Sequence, residues 1–236
     1  MGFSDVHHHL VYGMDDDGPK TPEDMHLMLQ LAAQDGITTV YATPHVSPGV
    51  RFFDYPLYLA RVEEANGWCR QNGLDLTVLP GAELLYTPLT GELLRNGNVP
   101  AMGGSRCALV EFLPAASLKE IREAVAALAR SGFSAIIAHA ERYPALVRNL
   151  EAAMALKREY RTLYQANAGL FIGSRGFWLN RFRKHAVTEG LIDLVASDAH
   201  NVGSRRVNMA EGYKRVAEGY GRETAGKIFY GNGLEL

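Results

Sequence analysis

Six apolar, β-like runs in this chain each finish on a histidine or an acid, and no other feature restricts the fold as much. They are FSDVHHH (His7 and His9), TTVYATPH (His45), LTVLPGAE (Glu83), CALVEFL (Glu111), SAIIAHAER (His139) and IDLVASDAH (Asp198 and His200). A parallel β/α barrel builds its active site from the C-terminal ends of its strands, each giving one or two side chains. Ligands arriving from six strand ends would meet at one mouth. They offer more nitrogen and oxygen donors than one ion needs, so the pattern points to a polynuclear metal centre.

The segments between these runs read as helices. Residues 22–34 have Thr21 as N-cap, Pro22 at the first helical position, and Met25, Met28, Leu29 and Ala32 along one face. Residues 55–71 form a second helix closed by Asn72-Gly73. A short helix is expected around 91–95. Ser117 with Glu120 makes a capping box for a helix to Arg130. Further helices are expected over about 145–159, 175–189, 205–219 and 222–229, with TLYQANA a strand among them. Strict β-then-α alternation over seven units predicts a parallel sheet, and ligands at many strand ends favour a closed barrel. No linker, repeat or low-complexity tract divides the 236 residues, so one domain over 1–236 is expected.

Residues two apart on an extended chain point to the same side, so His7 and His9 can reach one ion while His8 points away. A purification-tag remnant would not sit between DV and an apolar LVY. Asp198 and His200 repeat the spacing, against the plainer reading of a turn cap and a surface histidine. A carboxylate at the rim of an apolar core needs a neutralising partner. For Glu83 or Glu111 alone that would be an arginine; for the pair, with His45 and His139 in equivalent places, a divalent cation serves better. In Asp15-Asp16-Asp17-Gly18-Pro19 the acids mark a turn, and one of them can also be a ligand. Arg142, three residues after His139, and Arg205, five after His200, can fork onto an oxyanion. Phe52, Phe53, Tyr55 and Tyr58 can form an apolar lip for an aromatic substrate or pack in the core. Arg181 to His185 reads as a solvated helix face.

Bulk properties exclude several classes. A net charge of −2 gives no reason to expect nucleic acid or an anionic membrane. No apolar run approaches the roughly 20 residues of a membrane span, and MGFSDVHHH lacks the features of a signal peptide. Cys69 and Cys107 make no disulfide framework, and neither sits at a ligand-bearing strand end, so a cytoplasmic protein with packing cysteines is expected.

Taken in order, HxH, DDGPKT, ATPH, GAE, VEF, AHAER and SDAHN resemble the polymerase and histidinol phosphatase (PHP) superfamily. DDGPKT with HAER looks most like its bacterial protein-tyrosine-phosphatase branch, associated with capsule and exopolysaccharide synthesis. The resemblance runs from His7 to about Met209. It implies a distorted (β/α)7 TIM-like barrel holding three divalent ions, manganese foremost, with iron, zinc or magnesium as alternatives. The ligands it implies are His7, His9, Asp16 or Asp17, His45, Glu83, Glu111, His139, Asp198 and His200. The chain has DDDG where DDG is typical, and Asp17 keeps its place beside the Gly-Pro turn. Arg142 and Arg205 match positions that contact phosphate. The implied reaction is phosphomonoester hydrolysis by a metal-bound hydroxide, with the phosphotyrosine tail of a bacterial tyrosine kinase as partner.

Three other readings share part of this pattern. A small-molecule phosphatase acting on histidinol phosphate would use the same ligands. A metal-stabilised module that only binds phosphotyrosine would be expected to lack a ligand. An amidohydrolase would need a carbamylated lysine or similar bridging ligand at a strand end, and no suitable lysine is present.

Overall fold

Apolar and β-branched residues collect in short runs here, and each run becomes a parallel strand. The computed structural model describes residues 2–173 and 175–230. Its strands are β1 (Phe3–His8), β2 (Ile37–Ala42), β3 (His45–Val46), β4 (Thr77–Pro80), β5 (Glu83–Leu85), β6 (Cys107–Glu111), β7 (Ser134–Ile137), β8 (Leu163–Asn167) and β9 (Leu194–Ala196). β2 and β3 follow one strand path broken at Thr43-Pro44; β4 and β5 follow another broken at Gly81-Ala82. Before the breaks β1 pairs with β2 and β2 with β4; beyond them the order is β3-β5-β6-β7-β8-β9. The curled sheet closes through a parallel bridge between His8 and Ala199. There the His9 N–H donates to Ala199 O at 2.8 Å, and the Asp198 N–H donates to His7 O at 2.9 Å. Seven strand paths therefore make the expected distorted (β/α)7 barrel.

The helices are α1 (Pro22–Gln34), α2 (Tyr55–Gln71), α3 (Thr90–Arg95), α4 (Leu118–Arg130), α5 (Pro144–Val147), α6 (Leu150–Tyr160), α7 (Phe177–Thr188), α8 (Met209–Tyr220) and α9 (Arg222–Phe229). Both expected caps form: Thr21 accepts from the Asp24 N–H in a capping box, and Ser117 does the same with Glu120. The single helix expected over 145–159 is two. Pro144 starts α5, Arg148 ends it, and Asn149 at φ −130°, ψ 61° is not helical. The helix expected from 205 begins only at Met209. The residues before it form a turn in which the Arg205 N–H donates to Asn201 Oδ1 at 3.1 Å and the His200 N–H to Arg205 O at 2.8 Å. That turn folds Arg205 back toward the strand end.

Alternation along the strands sorts the core. Leu109, Ile136, Ala138, Leu163, Leu194 and Ala196 pack together inside the barrel, while their neighbours Ala108, Val110, Ile137 and Val195 face the helices. Period two then carries Glu111, Gln165, Asn167 and Asp198 to the inner side at the strand ends. On β1 the ladder is irregular between Asp5 and His8, which interrupts the alternation and buries His7, His8 and His9 together.

Tyr58, fully buried on α2, holds both strand breaks. Its hydroxyl donates to Ala42 O at 2.7 Å, has Gly81 O at 2.9 Å as a second acceptor, and accepts from the Gly81 N–H at 2.8 Å. Gly81 sits in a crowded place: a Cβ there would lie 2.9 Å from Met102 Sδ and 3.2 Å from Thr43 Cγ2, so Met102 would have to shift to admit one. Immediately after these breaks come His45 and Glu83. Tyr58→Phe strands a buried N–H and carbonyls, so it should destabilise the fold by about 1–3 kcal/mol in urea denaturation. A loss under about 0.5 kcal/mol, the level of an ordinary surface change, would show that the hydroxyl does not hold the breaks.

Candidate metal centre

At the C-terminal mouth the predicted residues converge on Glu83. This carboxylate is buried, and its Oε2 makes no hydrogen bond. Three imidazole nitrogens surround that oxygen: His7 Nε2 at 3.1 Å, His9 Nε2 at 3.3 Å and His45 Nδ1 at 3.0 Å. Its other oxygen lies 2.7 Å from His139 Nε2. Glu111 approaches His45 Nδ1 at 3.3 Å and His139 Nε2 at 3.9 Å. Asp198 Oδ1 stands 3.6 Å from both His7 Nε2 and His9 Nε2. The His9 and His200 rings stack with centroids 3.6 Å apart.

Three of the histidines are held by their outer nitrogens. In the tautomer that satisfies these contacts, His7 Nδ1–H donates to Gln165 Oε1 at 3.2 Å, His9 Nδ1–H to Asp15 Oδ2 at 3.1 Å, and His200 Nδ1–H to the Asp198 carbonyl at 2.9 Å. Each Nε2 lone pair is thereby turned inward. The His7 and His9 Nε2 atoms lie only 3.1 Å apart, and His200 Nε2 is buried without a hydrogen bond. Lone pairs facing each other and an orphaned carboxylate oxygen are unfavourable unless protons or cations sit among them, and fixing a histidine by its second nitrogen is how proteins orient metal ligands. Ligand atoms within 4.8 Å of one another form three overlapping sets: His9, His45 and His200; His7, His9 and Asp198; His45, Glu83 and Glu111. The shared members, His9 and His45, suit neighbouring ions. The hard oxygen and imidazole donors, with no thiolate among them, fit divalent cations such as Mn, Fe or Zn.

The field within this cluster is strongly negative. Burial alone would depress the His7 pKa, but the Glu83 and Asp198 carboxylates raise it to about 9. Burial is likewise overcome at His45, which Glu111 and Glu83 raise to about 11. Asp198 is lowered to about 2 despite its burial, by His7 and Arg142 among others, and Glu83 is held well below the carboxylate range by His7, His139 and His45. His200 goes the other way, to about 3, through burial and the charge on the stacked His9.

The three acids after β1 have different fates. Asp15 is buried, bonds His9, and accepts the His45 N–H at 2.6 Å. Asp17 reaches the cluster, with Oδ2 3.4 Å from His200 Nε2 and 2.8 Å from Arg205 Nη1. Asp16, named with Asp17 as a possible ligand, does not join it. Its side chain is 84% exposed and pairs with Arg51 at 2.9 Å, because consecutive residues of this turn diverge. Arg142 and Arg205 both grip Asp198, Arg142 through Oδ2 and Arg205 through Oδ1 at 3.3 Å. Both guanidinium side chains stay partly open to the mouth.

Several supporting residues were not anticipated. Gln165 Oε1 also takes the His139 N–H at 2.6 Å. Asn167 Nδ2 donates to Asp198 Oδ2 at 2.8 Å, and its own N–H donates to the half-buried Glu141. Asp5 accepts the Ser197 N–H and faces His8 Nδ1 at 3.0 Å, so His8 is joined through Asp5 to the end of β9. The signal for Gln165 and Asn167 was the same alternation that placed Glu111: polar residues on the inner face of TLYQANA. His139 and Asp198 have φ of 34° and 55°, left-handed values rare for residues other than glycine. They leave the strand direction there, which aims their side chains across the mouth.

The model of the family described as Capsular polysaccharide synthesis, CpsB/CapC, matches residues 3–236. The chain belongs to that family. It is 28% identical over 232 residues to tyrosine-protein phosphatase CpsB of Streptococcus pneumoniae, covering 97% of this chain and 95% of that one. It is 28% identical over 220 residues to tyrosine-protein phosphatase YwqE of Bacillus subtilis, covering 93% and 85%. A solved structure from the work on YwqE and CpsB, described as unique metal-dependent tyrosine phosphatases, superposes with a TM-score of 0.83 at 27% identity, covering 94% of this chain and 89% of that one.

Two outcomes test the centre. Asp15→Asn should weaken divalent-metal affinity by about 10–100-fold, as loss of a ligand's supporting bond does, while Asp16→Asn should change it by less than about twofold, as for an exposed ion pair. Chelator competition measures both, and equal effects would refute the assignment. The second outcome concerns protons. His7 and His45, raised to about 9 and about 11, carry protons at neutral pH in the ion-free protein. A cation must displace them, so metal affinity should rise with pH from 6 to 8 and binding should release protons. Titration calorimetry in buffers of different ionisation enthalpy reads the release; none detected would contradict it.

Proposed function

We propose that this chain is a single PHP-type domain acting as a metal-dependent protein-tyrosine phosphatase. Its substrate in this reading is the phosphotyrosine tail of a bacterial tyrosine kinase that controls capsule or exopolysaccharide synthesis. The observation that carries the reading is the set of anchored histidines turned onto Glu83 Oε2, with two arginines at the rim. His7, His9, Asp17, His45, Glu83, Glu111, His139, Asp198 and His200 would hold three divalent ions, manganese foremost. Family membership supports the activity, and the names of the relatives support phosphotyrosine as the substrate class.

Hydrolysis adds a water oxygen to phosphorus, breaks the phosphorus bond to the tyrosyl oxygen, and delivers a proton to that oxygen. Divalent ions held by these residues would supply water acidified to a pKa of about 7 and would neutralise phosphoryl charge. The protein's own groups do the rest. Arg142 and Arg205 offer forked donors to the phosphoryl oxygens, and Asp198 fixes their direction. Gln165, Asp15 and Asn167 keep the ligands aligned. Thiol chemistry has no part in this: Cys69 and Cys107 are buried, and burial raises both thiol pKa values. Free thiols also suit the cytoplasm as its compartment. No helix among the described residues is long and apolar enough to cross a membrane.

The test is turnover of a phosphotyrosine peptide with manganese added. Chelator should abolish it, and thiol alkylation should leave most of it. Arg142→Ala should lower kcat and raise KM at unchanged metal content, by about 10²–10³ in kcat/KM, the scale for losing one donor to developing charge. Activity that survives chelation but not alkylation would overturn the reading.

A further inference from the structure

Just outside the metal centre, the loop after β3 builds a small recess that the reaction as described does not use. It holds about 180 Å³ and is lined by His45, Met14, Phe52, Phe53 and Leu57, with Arg51 at its polar edge. His45 belongs to both walls: Nδ1 faces Glu83 and Glu111, and the side chain is 40% exposed. Whatever enters this recess therefore lies against a candidate ligand. Its floor is rigid. The Phe53 ring packs 5.4 Å from the ring of Tyr58, which is fixed to the two strand breaks, and 6.1 Å from Tyr55. Arg51 is held by Asp16.

The rim is different. Phe52 is 87% exposed and Val50 77%, at the edge of the mouth. Large apolar side chains left this open in a group mark a place where something apolar docks. The recess is too small for a peptide segment but has room for one six-membered ring, and an aromatic ring lying on Phe53 with Phe52 folding over it would have offset or edge contacts on two sides.

We propose that this recess is the subsite for the tyrosyl ring, with Phe52 as the residue that selects an aryl over an alkyl phosphate. The inference rests on the phosphatase reading and specifies how that site chooses its substrate. The phosphoryl group sits at Arg142 and Arg205, and the ring extends past His45 toward Phe53.

The test measures binding of two phosphonates to the metal-loaded full chain by calorimetry. Benzylphosphonate has a ring one atom from the phosphorus, as in phosphotyrosine; methylphosphonate has none. The parent should bind benzylphosphonate more tightly, and Phe52→Ala should reduce that preference by about five- to tenfold, the scale of one aromatic contact. Phe52→Trp should retain it. Phe52 is on the surface, so these variants should fold normally. An unchanged preference in Phe52→Ala, or an equal weakening of both ligands, would overturn the ring subsite while leaving the phosphoryl site intact. Failure of the parent to bind either phosphonate, with no turnover of phosphotyrosine peptide, would instead remove the phosphatase reading and this inference with it.

Discussion

A buried carboxylate without a hydrogen bond on one of its oxygens is the constraint around which this structure is arranged. Glu83 Oε2 lies inside the barrel mouth with three imidazole nitrogens within 3.3 Å. Without compensation such a charge costs several kcal/mol. The protein compensates in two ways at once. Protonated histidines balance it in the ion-free state, as the raised His7 and His45 pKa values indicate. Cations would replace those protons on loading, because the outer nitrogens of His7, His9 and His200 are already committed to Gln165, Asp15 and the Asp198 carbonyl.

The barrel itself is shaped to serve this carboxylate. Two strand paths are interrupted where a continuous strand would run on. The breaks at Thr43-Pro44 and Gly81-Ala82 set His45 and Glu83 opposite each other in the second stretch of ladder. Tyr58 ties both breaks from the helix side. Across the mouth, His139 and Asp198 adopt left-handed backbone, a conformation that costs of order 1–3 kcal/mol and persists only where surrounding contacts impose it. Here the imposing contacts are visible: Gln165 takes the His139 N–H, and His7 O takes the Asp198 N–H. Stability has been given up at the strand ends to gain direction for two side chains.

Polar order and apolar exposure divide the mouth between them. On the β9 side, Asp198 holds Arg142 and Arg205, and Asp17 pairs with Arg205, which gathers two guanidinium groups at one edge of the mouth. On the β3 side, an aromatic floor and exposed Phe52 offer surface for a ring. An aryl phosphate would match both halves, which is why the proposed reading joins them in one site.

Much of this was legible in the sequence for a physical reason. Strand ends are local: a β-branched run followed by His, Asp or Glu gives both the element and its inward terminal residue, and period two does the rest. Hence the seven-unit barrel, the HxH pair and the acids at 83 and 111 could be read directly. The sequence could not separate Asp15, Asp16 and Asp17, because three consecutive turn residues point in directions that only the folded loop fixes. Nor could it show that one helix over 145–159 breaks at Arg148-Asn149, or that Gln165 joins His7 to His139 across 158 and 26 residues of chain. These depend on what lies opposite after the sheet has closed. Sequence determined which chemical groups stand at the strand ends; tertiary structure decided which nitrogen of each histidine faces inward, since that depends on a partner distant in the chain.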